Sequence, residues 1–195
     1  MAETKRELQK KLTRNKLIET AIKLFGEKGI LATRTSDVAK EAEVSHGTVF
    51  AHFSTQEELI CSVIDEFDNR ICGKLHELVD TNSSLVDILR AHIKGLTEFE
   101  SFYTRLVIER TMLPESANAS YIAIQSTISF HMGIAAEREI KEGKLRDIPL
   151  HLIYNTWIGL IHYYLTNEDL FSHDGSVLAK YGEDLINHYI KLISK

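Results

Sequence analysis

The chain contains few of the residues that interrupt or cross-link secondary structure: its 195 residues include two prolines, ten glycines and two cysteines. Scarce proline permits long helices, because proline removes a backbone donor and breaks helix interiors. The two cysteines, Cys61 and Cys72, are eleven positions apart. On one helix they would lie about 16.5 Å apart along the axis, too far for a disulfide. We therefore expect two free thiols.

Long apolar runs are also missing. No stretch approaches the roughly 20 apolar residues that a membrane-spanning helix needs. The N-terminal stretch MAETKRELQKKLTRNK has no apolar core of the kind that a secretory signal contains. We expect a cytoplasmic protein that does not bind a membrane.

Acidic residues outnumber basic residues in the whole chain, and basic residues are in excess only towards the N-terminus. The formal net charge is −5, but residues 1–56 hold ten Lys and Arg against seven Asp and Glu. Residues 57–195 hold 13 against 21, so the two parts carry +3 and −8. This distribution indicates that only the N-terminal part approaches a polyanion.

Helical periodicity is present along nearly the whole chain, and no segment shows sustained strand alternation. Three short apolar patterns precede residue 56 and six longer ones follow it, which predicts an all-α fold of about nine helices. Ser54 and Glu57 have the spacing of a capping box, so a long helix should begin there. The last two long helices are predicted over residues 150–166 and 176–193.

The second and third short patterns have the features of a helix-turn-helix. Ala39 and Ala42 are small enough for two helices to meet closely, and Ser45 is a good N-cap for the second helix. His46, Gly47 and Thr48 then occupy the first turn, where a recognition helix meets base edges. A capped helical hairpin without any role in DNA binding is the alternative reading of the spacing alone.

A resemblance favours DNA binding. The stretch LIETAIKLFGEKGILATRTSDVAKEAEVSHGTVFAHFSTQEELICSVID is similar to the N-terminal domain of the TetR family of bacterial and archaeal regulators. The matching positions keep the order and spacing of that family over about fifty residues. They are Ile18, Ala21, Leu24, Phe25, Gly29, Thr35, Val38, Ala39, Ala42, Val44, Ser45, Gly47, Thr48, His52, Phe53 and Leu59.

The resemblance implies a function and a domain division. Residues 1–56 would be a three-helix DNA-binding head, and residues 57–195 a six-helix bundle for effector binding and dimerisation. The family implies a homodimer that binds a palindromic operator in double-stranded DNA and is usually released by a small molecule. Base reading is expected from His46, Gly47 and Thr48. Phosphate contacts are expected at Arg34, Thr35, Ser45, Phe50, His52 and Gln56.

Three positions depart from the family pattern. Glu43 stands where the turn usually has glycine, and places a carboxylate near DNA. Phe50 replaces a tyrosine whose phenol would reach a phosphate, and Gln56 replaces a lysine. Because phosphate neutralisation dominates affinity, these changes would weaken DNA binding unless other cations compensate. The candidates for compensation are Arg14, Lys16 and Arg34.

The C-terminal helices hold the candidates for effector binding and dimerisation. Polar or adaptable residues on otherwise apolar faces suggest a pocket. They are Phe99, Tyr103, Arg105, Met112, Gln125, His131, Asn155 and His162. Arg105 would suit an anionic effector, or would pair with Glu109 four residues later.

The dimer surface is expected on the last two long helices, as the resemblance implies. Its predicted residues are Trp157, Gly159, Leu160, Tyr164, Leu185 and Tyr189. The alternative is that helix 150–166, apolar on more than one side, is simply the centre of the bundle.

No pattern in the sequence favours an enzyme. A nucleophile elbow and a phosphate loop are both missing. The spacings Asp147/His151 and Asp184/His188 could hold a metal, but nine histidines make such pairs common by chance, so we expect no metal and no cofactor. Two alternatives to a ligand-released repressor stay open. They are a DNA-binding regulator controlled by a protein partner, and a helical enzyme or interaction module.

Overall fold

The computed structural model describes residues 4–80, 82–172 and 175–195. Within these ranges the chain forms ten α-helices, one 3-10 turn and no strand, which confirms the all-α prediction. The helices are α1 Lys5–Lys28, α2 Thr35–Glu41, α3 His46–His52, α4 Gln56–Leu78, α5 Leu85–Glu98, α6 Glu100–Glu109, α7 Glu115–Lys141, α8 Leu150–Thr166, α9 Glu168–Phe171 and α10 Val177–Ile193. The 3-10 turn is Arg110–Met112.

The helix count differs from the predicted nine because of one short element. The four-residue α9 has no periodic pattern long enough to be seen in sequence. The bounds of α8 agree with the prediction, and α10 differs from it by one residue. None of the described helices combines the length and apolar character that crossing a membrane would require.

The chain divides into two compact units. The first comprises residues 1–67 and 101–120, and the second comprises residues 68–100 and 121–195. The division at residue 56 proposed from sequence concerns function and stays a prediction. Cys61 lies in the first unit and Cys72 in the second, and both are free, as expected. Burial, followed by a hydrogen bond to Asp68, raises the pKa of the Cys72 thiol to about 11.

The core of the first unit begins at Leu17 of α1, the first buried residue of the chain's described part. The same core contains Phe25 of α1 and Val49 of α3. Like Leu17, both side chains have no exposed surface. Helix α1 ends at Gly29, whose φ of 99° suits glycine and whose N–H donates to the Phe25 carbonyl at 2.9 Å.

The start of α4 corrects the predicted capping box. The Thr55 hydroxyl, not that of Ser54, accepts the Glu58 N–H at 3.0 Å. The Glu58 carboxylate reaches back to the N–H and hydroxyl of Ser54, at 2.7 and 2.6 Å. The box proposed for Ser54 and Glu57 is therefore one residue out of register, because Ser and Thr in sequence offer two equivalent caps.

The core of the second unit is centred on Trp157 of α8. Its indole N–H donates to His92 Nδ1 at 3.1 Å, and its ring lies 5.3 Å from that of Tyr189. Tyr189 in turn donates its hydroxyl to the Ile153 carbonyl at 2.5 Å. Helix α10 approaches α5 closely, since a Cβ on Gly182 would lie 2.8 Å from Ile93.

This core corrects part of the predicted dimer surface. Trp157 and Tyr189 have no exposed surface within the single chain, and Leu185 is only 5% exposed. The prediction that these three residues form the interface is wrong, because they fill the interior of their own protomer. Gly159 is exposed and Leu160 is half-buried. Tyr164 is half-buried and stacks on Phe171 at 4.1 Å. For Gly159, Leu160 and Tyr164 a place in the dimer interface stays a prediction.

Candidate nucleic-acid interface

Helices α2 and α3 form the predicted helix-turn-helix pair. Ala39 and Ala42 are buried where the helices meet, with 4% and 0% of their surface exposed. The turn between them contains Glu43 at φ 55°, in the left-handed region that a side chain rarely adopts. This is the position at which the related family usually has glycine, so the turn keeps its geometry at the expense of backbone strain.

The first turn of α3 is capped and open to solvent. The Ser45 hydroxyl accepts the Thr48 N–H at 3.1 Å and lies 2.8 Å from the Thr48 hydroxyl. His46 and Gly47 are exposed, and only the Ser45 hydroxyl lies near the space that a Gly47 side chain would occupy. The residues of this first turn are therefore open to solvent, while the Thr48 N–H is used by the cap.

His46 is held in place rather than free to rotate. Its Nε2 lies 3.0 Å from the Thr35 hydroxyl, and its ring contacts that of Phe50 edge-on at 4.7 Å. Thr35 itself is buried, with 9% of its surface exposed. The hydroxyl of Thr35, at the first position of α2, thus contacts His46, and its phosphate contact stays a prediction.

The other residues predicted to contact phosphates differ in their exposure and in their hydrogen bonds. Arg34 is exposed, and its N–H donates to the Asp37 carboxylate at 2.9 Å. Phe50 is 46% exposed but has no group that could bind a phosphate. Gln56 is half-buried, and its amide donates to the Thr33 carbonyl at 3.1 Å. Gln56 thus ties the start of α4 to the loop before α2.

His52, at the end of α3, lies in a positive environment. Its Nδ1 is buried without a hydrogen-bond partner in the described structure. Burial lowers the pKa of His52, and the nearby charges of Lys10 and Arg14 lower it further. The Arg14 guanidinium carbon lies 5.0 Å from the centroid of the Phe53 ring and the group donates to the Ser62 hydroxyl at 3.0 Å. Lys10 is thus near the same end of α3 as Arg14, one of the cations suggested from sequence.

Sequence reasoning missed Glu109, which anchors the connection between α1 and α2. Its carboxylate accepts the N–H groups of Ile30 and Leu31 at 3.1 and 2.8 Å. The predicted pairing of Arg105 with Glu109 is wrong, because Arg105 Nε instead donates to the Gly26 carbonyl at 3.4 Å. No local signal could have found these bonds, since their partners are about 80 positions apart in sequence.

The eight predicted effector residues are distributed over both units. In the second unit, His131, Gln125 and Phe99 line three different grooves, of about 220, 450 and 340 Å³. Asn155 is exposed and His162 is half-buried.

In the first unit, Tyr103 is 1% exposed and stacks on Phe67, whereas Met112 is 61% exposed. The assignment of these residues to an effector pocket stays a prediction, because scattered polar positions on helices do not reveal which helix faces converge.

Comparison with known proteins agrees with this architecture. The model for bacterial regulatory proteins of the tetR family matches residues 17–63. The HTH-type transcriptional repressor KstR2 of Mycobacterium tuberculosis is 26% identical over 161 residues, which cover 77% of this chain and 80% of that protein.

Solved structures show the same fold. A TetR-family regulator from Agrobacterium tumefaciens has a TM-score of 0.79 at 17% identity, covering 95% of this chain and all of that one. Bacillus subtilis FadR, solved in complex with stearoyl-CoA, has a TM-score of 0.71 at 16% identity, covering 91% of this chain and 98% of that one. The curated relative named here is a transcriptional repressor, and the solved structures show the same all-helical fold.

Proposed function

We propose that this chain, which is a TetR-family DNA-binding transcriptional regulator, acts as a homodimeric repressor that a small molecule releases from a palindromic operator. The observation that carries the proposal is the first turn of α3, which is capped by Ser45 and exposes His46 and Gly47. A recognition helix reads bases with such an N-terminal turn.

In this proposal the residues of the head divide into readers and supports. His46 presents Nδ1 to a base edge while Thr35 and Phe50 hold its ring. Thr48 lies in the same turn, and Gly47 lets the backbone approach the DNA. Arg34, Ser45 and His52 contact phosphates. A side chain that is already oriented loses less conformational entropy on binding, so the Thr35 contact favours specific recognition.

The effector and dimer functions are assigned to residues 57–195. FadR shares this fold and was solved with stearoyl-CoA, so the fold can accommodate a small-molecule ligand. Gly159 of α8 is exposed and has no atom within 4 Å of the position of a Cβ. A glycine on an exposed helix face allows a second helix to approach closely, which supports a two-fold contact there.

An electrophoretic shift with DNA from upstream of the chain's own gene tests DNA recognition. We expect His46→Ala to weaken operator binding by about 1–3 kcal/mol while binding to unrelated duplex is unchanged. His76→Ala, an exposed histidine in the second unit, is the matched control. If operator and unrelated DNA lose affinity equally, His46 contacts a phosphate and the assignment of base reading fails.

Small-molecule release needs its own experiment. A ligand that raises the thermal midpoint of the free protein and dissociates the operator complex would support it. A regulator that no small molecule releases, but that a protein from the same cells displaces, would overturn this part of the proposal.

A further inference from the structure

The first three turns of α1 concentrate the positive charge of a chain that is acidic overall. Residues 5–16, which we call the basic arm, hold six Lys and Arg and one Glu, whereas the whole chain carries −5. Twelve helical residues extend about 18 Å. The six cations are Lys5, Arg6, Lys10, Lys11, Arg14 and Lys16.

The basic arm is a formed helix with almost no core of its own. Residues 5–12 are all exposed, and the first buried side chain of α1 is Leu17. The single acid, Glu7, is used in the cap, where it accepts the Thr4 N–H at 2.8 Å. The four cations before Leu12 form no salt bridge within the part of the chain that the structure describes. Folding of the first unit therefore does not account for this charge.

The arm lies next to the recognition helix. Arg14 sits over the ring of Phe53, the residue that follows α3, at 5.0 Å from its centroid. Lys10 is one turn before Arg14 on the same side of α1. Both charges lower the pKa of His52 at the end of α3, which places them within electrostatic reach of it. The cations of the arm thus reach the C-terminal end of the recognition helix, which has no Lys or Arg of its own.

We propose that the basic arm binds the phosphate backbone of duplex DNA beside the base pairs that α3 reads. The proposal rests on the proposed function and extends its DNA interface beyond the helix-turn-helix. Each strand of duplex DNA carries about one charge per 3.4 Å of helix axis, so an arm of about 18 Å along that axis spans roughly five phosphates of one strand. These contacts replace the phosphate contacts that Phe50 and Gln56 lack.

The observations favour DNA over an anionic membrane. The arm has two apolar side chains, Leu8 and Leu12, which are 47% and 54% exposed. Two leucines four residues apart form a narrow stripe, whereas helices that bind in the membrane interface present a broad apolar face. The position of Arg14 against Phe53, next to the end of α3, also points to the partner that α3 binds.

Salt dependence of binding to a duplex tests the arm directly. Lys10→Gln/Lys11→Gln keeps helix propensity nearly constant and removes two charges. We expect the slope of log K against log salt to fall by about 0.9 for each lysine that contacts a phosphate, or about 1.8 per protomer. Fluorescence anisotropy across a range of salt concentrations measures it. Lys94→Gln/Lys141→Gln, at exposed sites of the second unit, removes the same charge and should leave the slope unchanged.

Several results would overturn the proposal. The first is a slope of log K against log salt that is unchanged in Lys10→Gln/Lys11→Gln. The second is a slope that falls equally in the control variant Lys94→Gln/Lys141→Gln. A third is loss of binding to phosphatidylglycerol vesicles with the DNA slope intact, which would assign the arm to a membrane. The measurement uses a duplex of arbitrary sequence. If the protein showed no preference for an operator, the proposed function would be refuted. The salt dependence of binding to this duplex would still show whether the arm contacts phosphates.

Discussion

The two hydrogen bonds that Glu109 accepts give a sharp test of how the DNA-binding part is held together. The carboxylate is 9% exposed and takes the N–H groups of Ile30 and Leu31, at 3.1 and 2.8 Å. In Glu109→Gln the amide oxygen can still accept one of these N–H groups. The other then faces an NH₂ group, a donor against a donor, and loses its partner.

The size of the effect follows from that unpaired donor. A buried N–H left without an acceptor costs about 1–3 kcal/mol. In a chain of this length, 1 kcal/mol corresponds to roughly 2–4 °C in thermal midpoint. We therefore expect Glu109→Gln to lower the midpoint by about 2–12 °C. Residues 30–34 lead directly into α2, so operator affinity should fall as well.

Urea unfolding followed by circular dichroism measures the stability, and hydrogen exchange of the segment around Ile30 and Leu31 locates the change. Glu27→Gln, at an exposed site on α1, is the matched control and should unfold like the wild type. A Glu109→Gln protein within 0.5 kcal/mol of the control, with unchanged exchange at Ile30, would refute the reasoning.

Three other predictions concern the second unit and the turn. Burial, with a smaller effect of His162, lowers the pKa of His92 to about 3. The unfolded chain therefore binds a proton below pH 6.5 that the native state rejects, and stability falls by up to roughly 1.4 kcal/mol per pH unit from pH 6.5 towards 3. The fluorescence of Trp157, the single tryptophan, follows unfolding, and His92→Gln should reduce the slope. Glu43→Gly should stabilise the protein by up to about 1 kcal/mol in urea unfolding by relieving the φ of 55°. Gly159→Glu should be monomeric in sedimentation at micromolar concentration, because a two-fold contact would bury two carboxylates.

Each of these has a result that contradicts it. An equal pH slope in wild type and His92→Gln would show that other groups set the acid sensitivity. Glu43→Ala removes the same charge but keeps a Cβ, so stabilisation of both variants alike would point to charge and not to strain. A dimeric Gly159→Glu protein would place the interface elsewhere.

Local features of this protein could be predicted because their causes lie within a few residues. The cap of α3 at Ser45, the end of α1 at Gly29 and the bounds of α8 each depend on hydrogen bonds or periodicity spanning three or four positions. The helix-turn-helix belongs to the same class, since small residues and a cap recur at fixed short distances. Even here, neighbouring Ser54 and Thr55 could not be told apart as caps.

Tertiary structure decided whatever depends on partners far apart in sequence. Glu109 and Leu31 are 78 positions apart, and the carboxylate of Glu100 caps the start of α10 at Val177 and Leu178, 77 and 78 positions away. The same holds for Trp157, which sequence reasoning placed on the surface and the fold buried against His92. Periodicity identifies which side of a helix is apolar. It cannot say whether that side meets its own chain or a partner, because that depends on which other helices pack against it.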